Sequence, residues 1–192
     1  EEFKRLRQLH HLPPPGMITE IQTAEGSLEF YPTVEDLHAI NTLADLENVV
    51  VLALAAGLPD RSVTEEMAEE IVARLRERGF EPVLVGRNYE RHGRKEVLPS
   101  GAVNLIDQLT VQGVMYLVRR CRAVVACHSA INLLAWHLRK TNVLLYPAQV
   151  QKHLDAKNEW GFGMAYPETT AISFENWPEQ KGTAFEEFVQ RL

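Results

Sequence analysis

The chain has 192 residues, room for one sizeable domain and little more. Hydrophobic residues make up 45% and charged residues 24%, a balance that packs a globular core and excludes a disordered chain. The formal net charge of -6 argues against a duplex nucleic-acid partner held by broad electrostatics, although Arg and Lys gather locally at Arg87–Lys95 and Arg119–Arg122.

In chain order, residues 1–15 begin basic and amphipathic and are broken by Pro13, Pro14, Pro15 and Gly16, a linker or domain edge. "MITEIQ" and "LEFYP" flank "TAEGS", which predicts a short hairpin. Thr33 predicts an N-cap for a helix over roughly 34–46. From Asn48 the pattern sharpens: "NVVVLALAAG" is a continuous apolar run, the mark of a strand buried on both faces. "SVTE" at Ser62–Glu65 reads as a capping box for a helix that places Met67, Ile71, Val72 and Leu75 on one face and stops at Gly79. "EPVLVG" predicts a second strand, and a polar loop then leads to "LIDQLT". Thr110 caps a helix through Arg120, followed by strand "AVVAC", helix "SAINLLAWHL" and strand "NVLLYP". Beyond Pro147 the signal is weaker: helix in "VQKHLDAKNEW", a short strand in "TTAISFE", and a closing helix in "GTAFEEFVQRL".

Alternating buried strands and amphipathic helices predict α/β architecture: one Rossmann-like three-layer αβα domain over 48–192 with a mostly parallel sheet. Residues 1–47 form a short N-terminal extension. Cys121 and Cys127 are too few for a disulfide framework and awkwardly placed to bridge, which points to a reducing, cytoplasmic setting. Apolar runs such as Val49–Ala56 are strand-length, so no membrane span is expected. No signal peptide is visible, and a chain opening at Glu1 reads as a piece of something longer. No Cys/His set stands at zinc spacing, and neither a metal nor a cofactor is expected.

In such sheets ligands gather at the carboxyl ends of the strands, near helix N-termini. Three such ends carry candidates: Gly57 and Arg61 after the first strand, Gly86 and Arg87 after the second, and His128, Ser129, Ala130 and Asn132 after the third. A helix N-terminus with its free N–H groups suits a phosphate, and arginines add charge-assisted bonds. Each candidate also has a plainer reading. Ser62, Thr110 and Ser129 suit helix caps, Arg87 a solvated loop, and His128 a structural strand end. The sequence contains no GxGxxG, P-loop or GxSxG pattern, and no catalytic residue can be named.

The order of pieces, "LRERGFEPVLVG" and then "NLIDQLTVQGVMYLVRRCRAVVACHSAINLLAWHL" and "TNVLLYP", resembles the C-terminal nucleotide-sugar-binding lobe of GT-B glycosyltransferases. It is most similar to the heptosyltransferase-like members, glycosyltransferase family nine, over roughly Asn48–Pro147. In that family a segment resembling "NLTGKTSLxELAxLIxxAxxVVxxDSGPMHLAxALGxPVxxLY" precedes the last core strand. Ser129 matches the family serine, Ala135 its alanine, and Arg61 falls where a basic residue often precedes the helix. His128 stands where the family has aspartate, Ala130 and Ile131 replace Gly-Pro, Leu133 replaces histidine, and Asp107 takes a glycine position. The resemblance implies a nucleotide diphosphate sugar donor at the strand ends, with the acceptor and catalytic base coming from a further N-terminal lobe or a partner. The departures motivate an alternative: a catalytically inactive binding or scaffold module on the same fold. A sugar-nucleotide epimerase half remains a third reading, since those enzymes share the two-lobe arrangement.

Overall fold

Strand β1 (Val49–Ala53) is buried along its whole length, and so is β4 (Ala123–Cys127). A strand with apolar side chains on both sides must be covered twice, and the rest of the molecule supplies the two covers. The computed structural model describes residues 30–56, 59–88, 97–150 and 169–192. Helix α1 (Val34–Ile40) precedes β1, and α2 (Glu65–Glu77) follows it. Then come β2 (Glu81–Leu84), β3 (Val103–Asn104), α3 (Val111–Arg120), β4, α4 (Ala130–His137) and β5 (Asn142–Tyr146). β6 (Thr169–Ser173), α5 (Trp177–Gln180) and α6 (Ala184–Gln190) complete the described chain. The six strands form one sheet in the order β3-β2-β1-β4-β5-β6, every pair parallel. Val51 lies opposite Val83 on one side and Val124 on the other.

The pleat sorts side chains between two cores. Val50, Leu52, Val125 and Cys127 join α2 residues Met67, Ile71 and Leu75 and α6 residues Phe185 and Phe188. Val49, Val51, Val124 and Ala126 join Ile40, Leu117, Val118 and Ala135 from α1, α3 and α4. The expected Rossmann-like three-layer fold is therefore present. Cys121 and Cys127 are both buried and unbridged, and burial pushes the Cys121 thiol up to about 12. Among the described residues, no helix is long and apolar enough to cross a membrane.

Three local expectations need correction. The helix predicted over 34–46 stops at Ile40, because Asn41 caps it and Asp45 starts a separate 3-10 turn at Leu46–Asn48 by accepting from Glu47 N and Asn48 Nδ2. Ser62 is not a helix cap: its Oγ accepts from Ala56 N at 3.1 Å, and Thr64 caps α2 instead. The polar loop before "LIDQLT" also contains a two-residue edge strand, β3, too short to leave a periodic signal. The hairpin expected over 17–32 lies outside the described residues save 30–32, which are not strand. The segment 1–15, Gly57 and the helix expected near 150–160 also fall mainly or wholly outside them.

Asp36, only 1% exposed, joins α1 to α3. Its carboxylate accepts from Thr33 N at 2.8 Å, closing a capping box in which Thr33 Oγ1 accepts from Asp36 N. It also accepts from Thr110 N at 2.7 Å and Thr110 Oγ1 at 2.6 Å. Thr110 in turn caps α3 by accepting from Gly113 N, so two helix ends share one buried charge. A Cβ at Gly113 would land on the Asp36 carboxylate, which is why glycine stands there.

Burial alone would push the Asp36 carboxyl up; the Thr110 and Thr33 hydrogen bonds outweigh it and hold the group below its ordinary value. Its stabilisation is therefore present above the ordinary carboxylate range and is lost as pH falls through the lowered folded value. Asp36→Ala should cost about 2 kcal/mol or more at neutral pH, and urea titrations from pH 7 to 3 should show a flatter acid limb than the wild type. Gly113→Ala should lower Tm, despite alanine's helix preference of about 1 kcal/mol.

Candidate functional site

The crossovers after β1 and β4 leave the sheet on opposite sides, β1 feeding α2 and β4 feeding α4. Their carboxyl ends therefore bound the place where strand order reverses, the general ligand position of open parallel sheets. Here β4 is tied to the strands on either side of it: the Cys127 thiol donates to Leu54 O, just beyond β1, at 3.1 Å, and His128 N donates to Leu145 O of β5 at 3.0 Å. The chain beyond β1 closes a tight loop through Val63 N to Leu54 O, 3.0 Å, and Ala56 N to Ser62 Oγ. Arg61 rides on that loop at the end of a 3-10 turn, Pro59–Arg61.

Ser129 is the N-cap residue of α4, with extended backbone, yet its side chain makes no capping hydrogen bond. Its Oγ is buried without a hydrogen-bond partner. Arg61 Nε is buried and unpartnered in the same way. Among the described residues only one other side-chain atom shares this condition, Gln180 Oε1 on α5. Buried polar groups are nearly always satisfied, so two orphans at adjoining strand ends call for an explanation. The first-turn amides of α4 receive no side-chain cap and carry the positive end of the helix dipole. A hydroxyl, a guanidinium N–H and an uncapped helix start, carried on the turns that follow two neighbouring strands, are groups of the kind that bind anions.

The other predicted residues divide. His128 is half-buried and Ala130 exposed, both at the β4–α4 corner. Asn132 is buried and its amide donates to Asn142 Oδ1 at 3.1 Å, while Asn142 reaches Lys140 O and Thr169 Oγ1. It is engaged inside the fold, tying α4 to β5. Gly86, at φ 154°, ends β2 in a backbone conformation natural only to glycine. Arg87 beside it is exposed. Sequence reasoning passed over Asn88, whose N and Nδ2 donate to the Asp107 carboxylate at 3.1 and 2.9 Å. It also missed the bond from Gln149 Nε2 to Asp60 Oδ2, 2.7 Å, across 89 residues. Neither tie has a periodic signature. Asp107 holds φ 61°, a left-handed conformation that aspartate tolerates better than most residues. A separate cavity of ≈ 360 Å³ opens near Asn41, Asp45, Glu47 and Arg120, by the amino end of β1, and holds neither orphan atom.

No protein-family model matches the sequence, and no curated protein matches it. Solved structures do resemble it in fold. Escherichia coli ADP-heptose LPS heptosyltransferase II superposes with TM-score 0.59 at 14% identity, over 82% of this chain and 51% of that one. A glycosyl transferase family 9 protein from Veillonella parvula gives 0.57 at 11%, over 82% and 50%. The E. coli heptosyltransferase WaaC with ADP gives 0.54 at 17%, over 81% and 48%. The heptosyltransferase-like resemblance read from the sequence is thus present as a likeness of fold. The chain spans about half the length of these proteins.

An uncapping serine with an orphaned hydroxyl makes a checkable statement about stability. Replacing a working N-cap by alanine costs about 0.5–2 kcal/mol. Removing a buried hydroxyl that bonds to nothing should cost nothing or stabilise by up to about 1 kcal/mol. Thermal unfolding of ligand-free Ser129→Ala should therefore show an unchanged or raised Tm; a drop of several degrees would restore Ser129 to an ordinary cap.

Proposed function

We propose that the chain is a glycosyltransferase-like lobe that takes the diphosphate of a nucleotide sugar donor at the carboxyl ends of β1 and β4. The observation that carries this reading is the pair of buried, unpartnered polar atoms, Arg61 Nε and Ser129 Oγ, beside the uncapped start of α4. In this reading the diphosphate accepts from Arg61, from the Ser129 hydroxyl and from the first-turn amides of α4. Gly86, Arg87, His128, Ala130 and Asn132 belong to the same rim in this reading, and Gly57, outside the described residues, is proposed with them from the sequence alone. Arg87 is free to swing toward a ligand, and His128 and Ala130 border the helix start. Asn132 acts from behind, fixing α4 against β5 through Asn142. That WaaC has been solved with ADP supports the ligand class.

In this reading the lobe stabilises negative charge on the departing nucleoside diphosphate through arginine and the helix dipole, a preorganised electrostatic contribution. In this reading the enzyme is of the two-lobe GT-B kind, with the acceptor and base supplied by another lobe or by a partner. Two buried, unbridged cysteines fit a cytoplasmic setting. A second reading, an inactive binding or scaffold module, is favoured by one observation: His128 replaces the family's aspartate next to the serine. Sugar turnover by the chain, alone or combined with a second lobe, would eliminate that reading.

Titration calorimetry of the intact chain with ADP, UDP and GDP tests the proposal. At least one should bind, Arg61→Ala should weaken it about tenfold or more, and Ser129→Ala roughly three- to tenfold. Absence of binding by all three would end the proposal.

A further inference from the structure

Asp60 and Arg61 are neighbours on the turn after β1, yet they meet different fates. Arg61 enters no ion pair among the described residues, and its Nε has no hydrogen-bond partner. The carboxylate nearest to it in sequence is drawn elsewhere: Asp60 Oδ2 accepts from Gln149 Nε2 at 2.7 Å. Gln149 stands on the 3-10 turn Ala148–Val150, directly beyond β5. That turn is itself anchored, since Ala148 N donates to both Glu175 oxygens at 3.1 and 2.9 Å. Because β4 lies between β1 and β5, the Asp60–Gln149 bond spans the carboxyl end of β4, beside the corner that carries Ser129.

An amide partner leaves the charge of Asp60 intact. A free carboxylate next to a guanidinium would pair with it, occupying its donors and cancelling the field it offers an anion. We infer that Gln149 is a positioning residue: it holds the Asp60 carboxylate away from Arg61 and so keeps that guanidinium available to an anionic ligand. This inference rests on the diphosphate reading above and deepens it, adding two residues that need not touch the ligand.

The test is calorimetry with ADP, UDP and GDP at low and high salt on the wild type, Gln149→Ala, Asp60→Asn and the double variant. Asn at position 60 keeps the shape and an oxygen that accepts from Gln149, so the strap survives without its charge. Gln149→Ala should weaken binding roughly three- to tenfold, and Asp60→Asn should tighten it by a similar factor. The double variant should follow Asp60→Asn, because Gln149 then has no charge to divert. Both differences should shrink at high salt, which a packing defect would not produce. If the wild type binds and Gln149→Ala binds equally well, the inference fails while the site stands. It fails equally if the folded Asp60→Asn protein binds no better than the wild type, or if the double variant stays as weak as Gln149→Ala. If the wild type binds none of the three nucleotides, the diphosphate reading falls and takes this inference with it.

Discussion

Burial of β1 and β4 on both faces is the constraint from which the architecture follows. Val49, Val50, Val51 and Leu52 are fully buried, as are all five residues of β4. Each apolar side chain so enclosed contributes about 1.5–3 kcal/mol relative to exposure. Covering both faces requires helices on both, and right-handed crossovers deliver them by carrying the chain outward in opposite directions from the central pair. The parting of those crossovers opens the rim between the strand ends. The candidate site is therefore a by-product of how the core is covered, with its chemistry added by the few residues that sit there.

Those residues show a division between groups that hold the fold and groups left over. Asp36 accepts from two threonines, Glu70 accepts from Lys181 Nζ and Trp177 Nε1, and Glu186 pairs with Arg74 and Arg78. Each of these side chains locks one element to another. The Lys181 ammonium and then the Trp177 indole hold the Glu70 carboxyl below its usual value. Arg61 and Ser129 are built into the same framework and contribute nothing of that kind to it. Under the proposed reading these unused donors are the groups that a preorganised anion site would employ.

Much of this fold was legible because its signals are local. Unbroken apolar runs marked β1, β4 and β5, and the spacing of Met67, Ile71 and Leu75 marked α2. Caps were legible where one threonine competed with no neighbour, as at Thr33 and Thr110, and misread where Ser62 and Thr64 stood two apart. The strand–turn–helix pattern placed Ser129 at the start of its helix as a cap; that its hydroxyl bonds to nothing depends on side-chain geometry. The long-range ties could not be read at all. Asp36 to Thr110, Asn88 to Asp107 and Asp60 to Gln149 join residues whose only relation is spatial.

The parallel pairing of β1 with β4 has a consequence for how the chain acquires its shape. Val50 must find Ala123, and the neighbour on its other side, β2, arrives first. Until β4 emerges from the ribosome, one edge of β1 lacks its backbone partner. Non-local parallel pairing of this sort slows folding and prolongs the life of sticky intermediates.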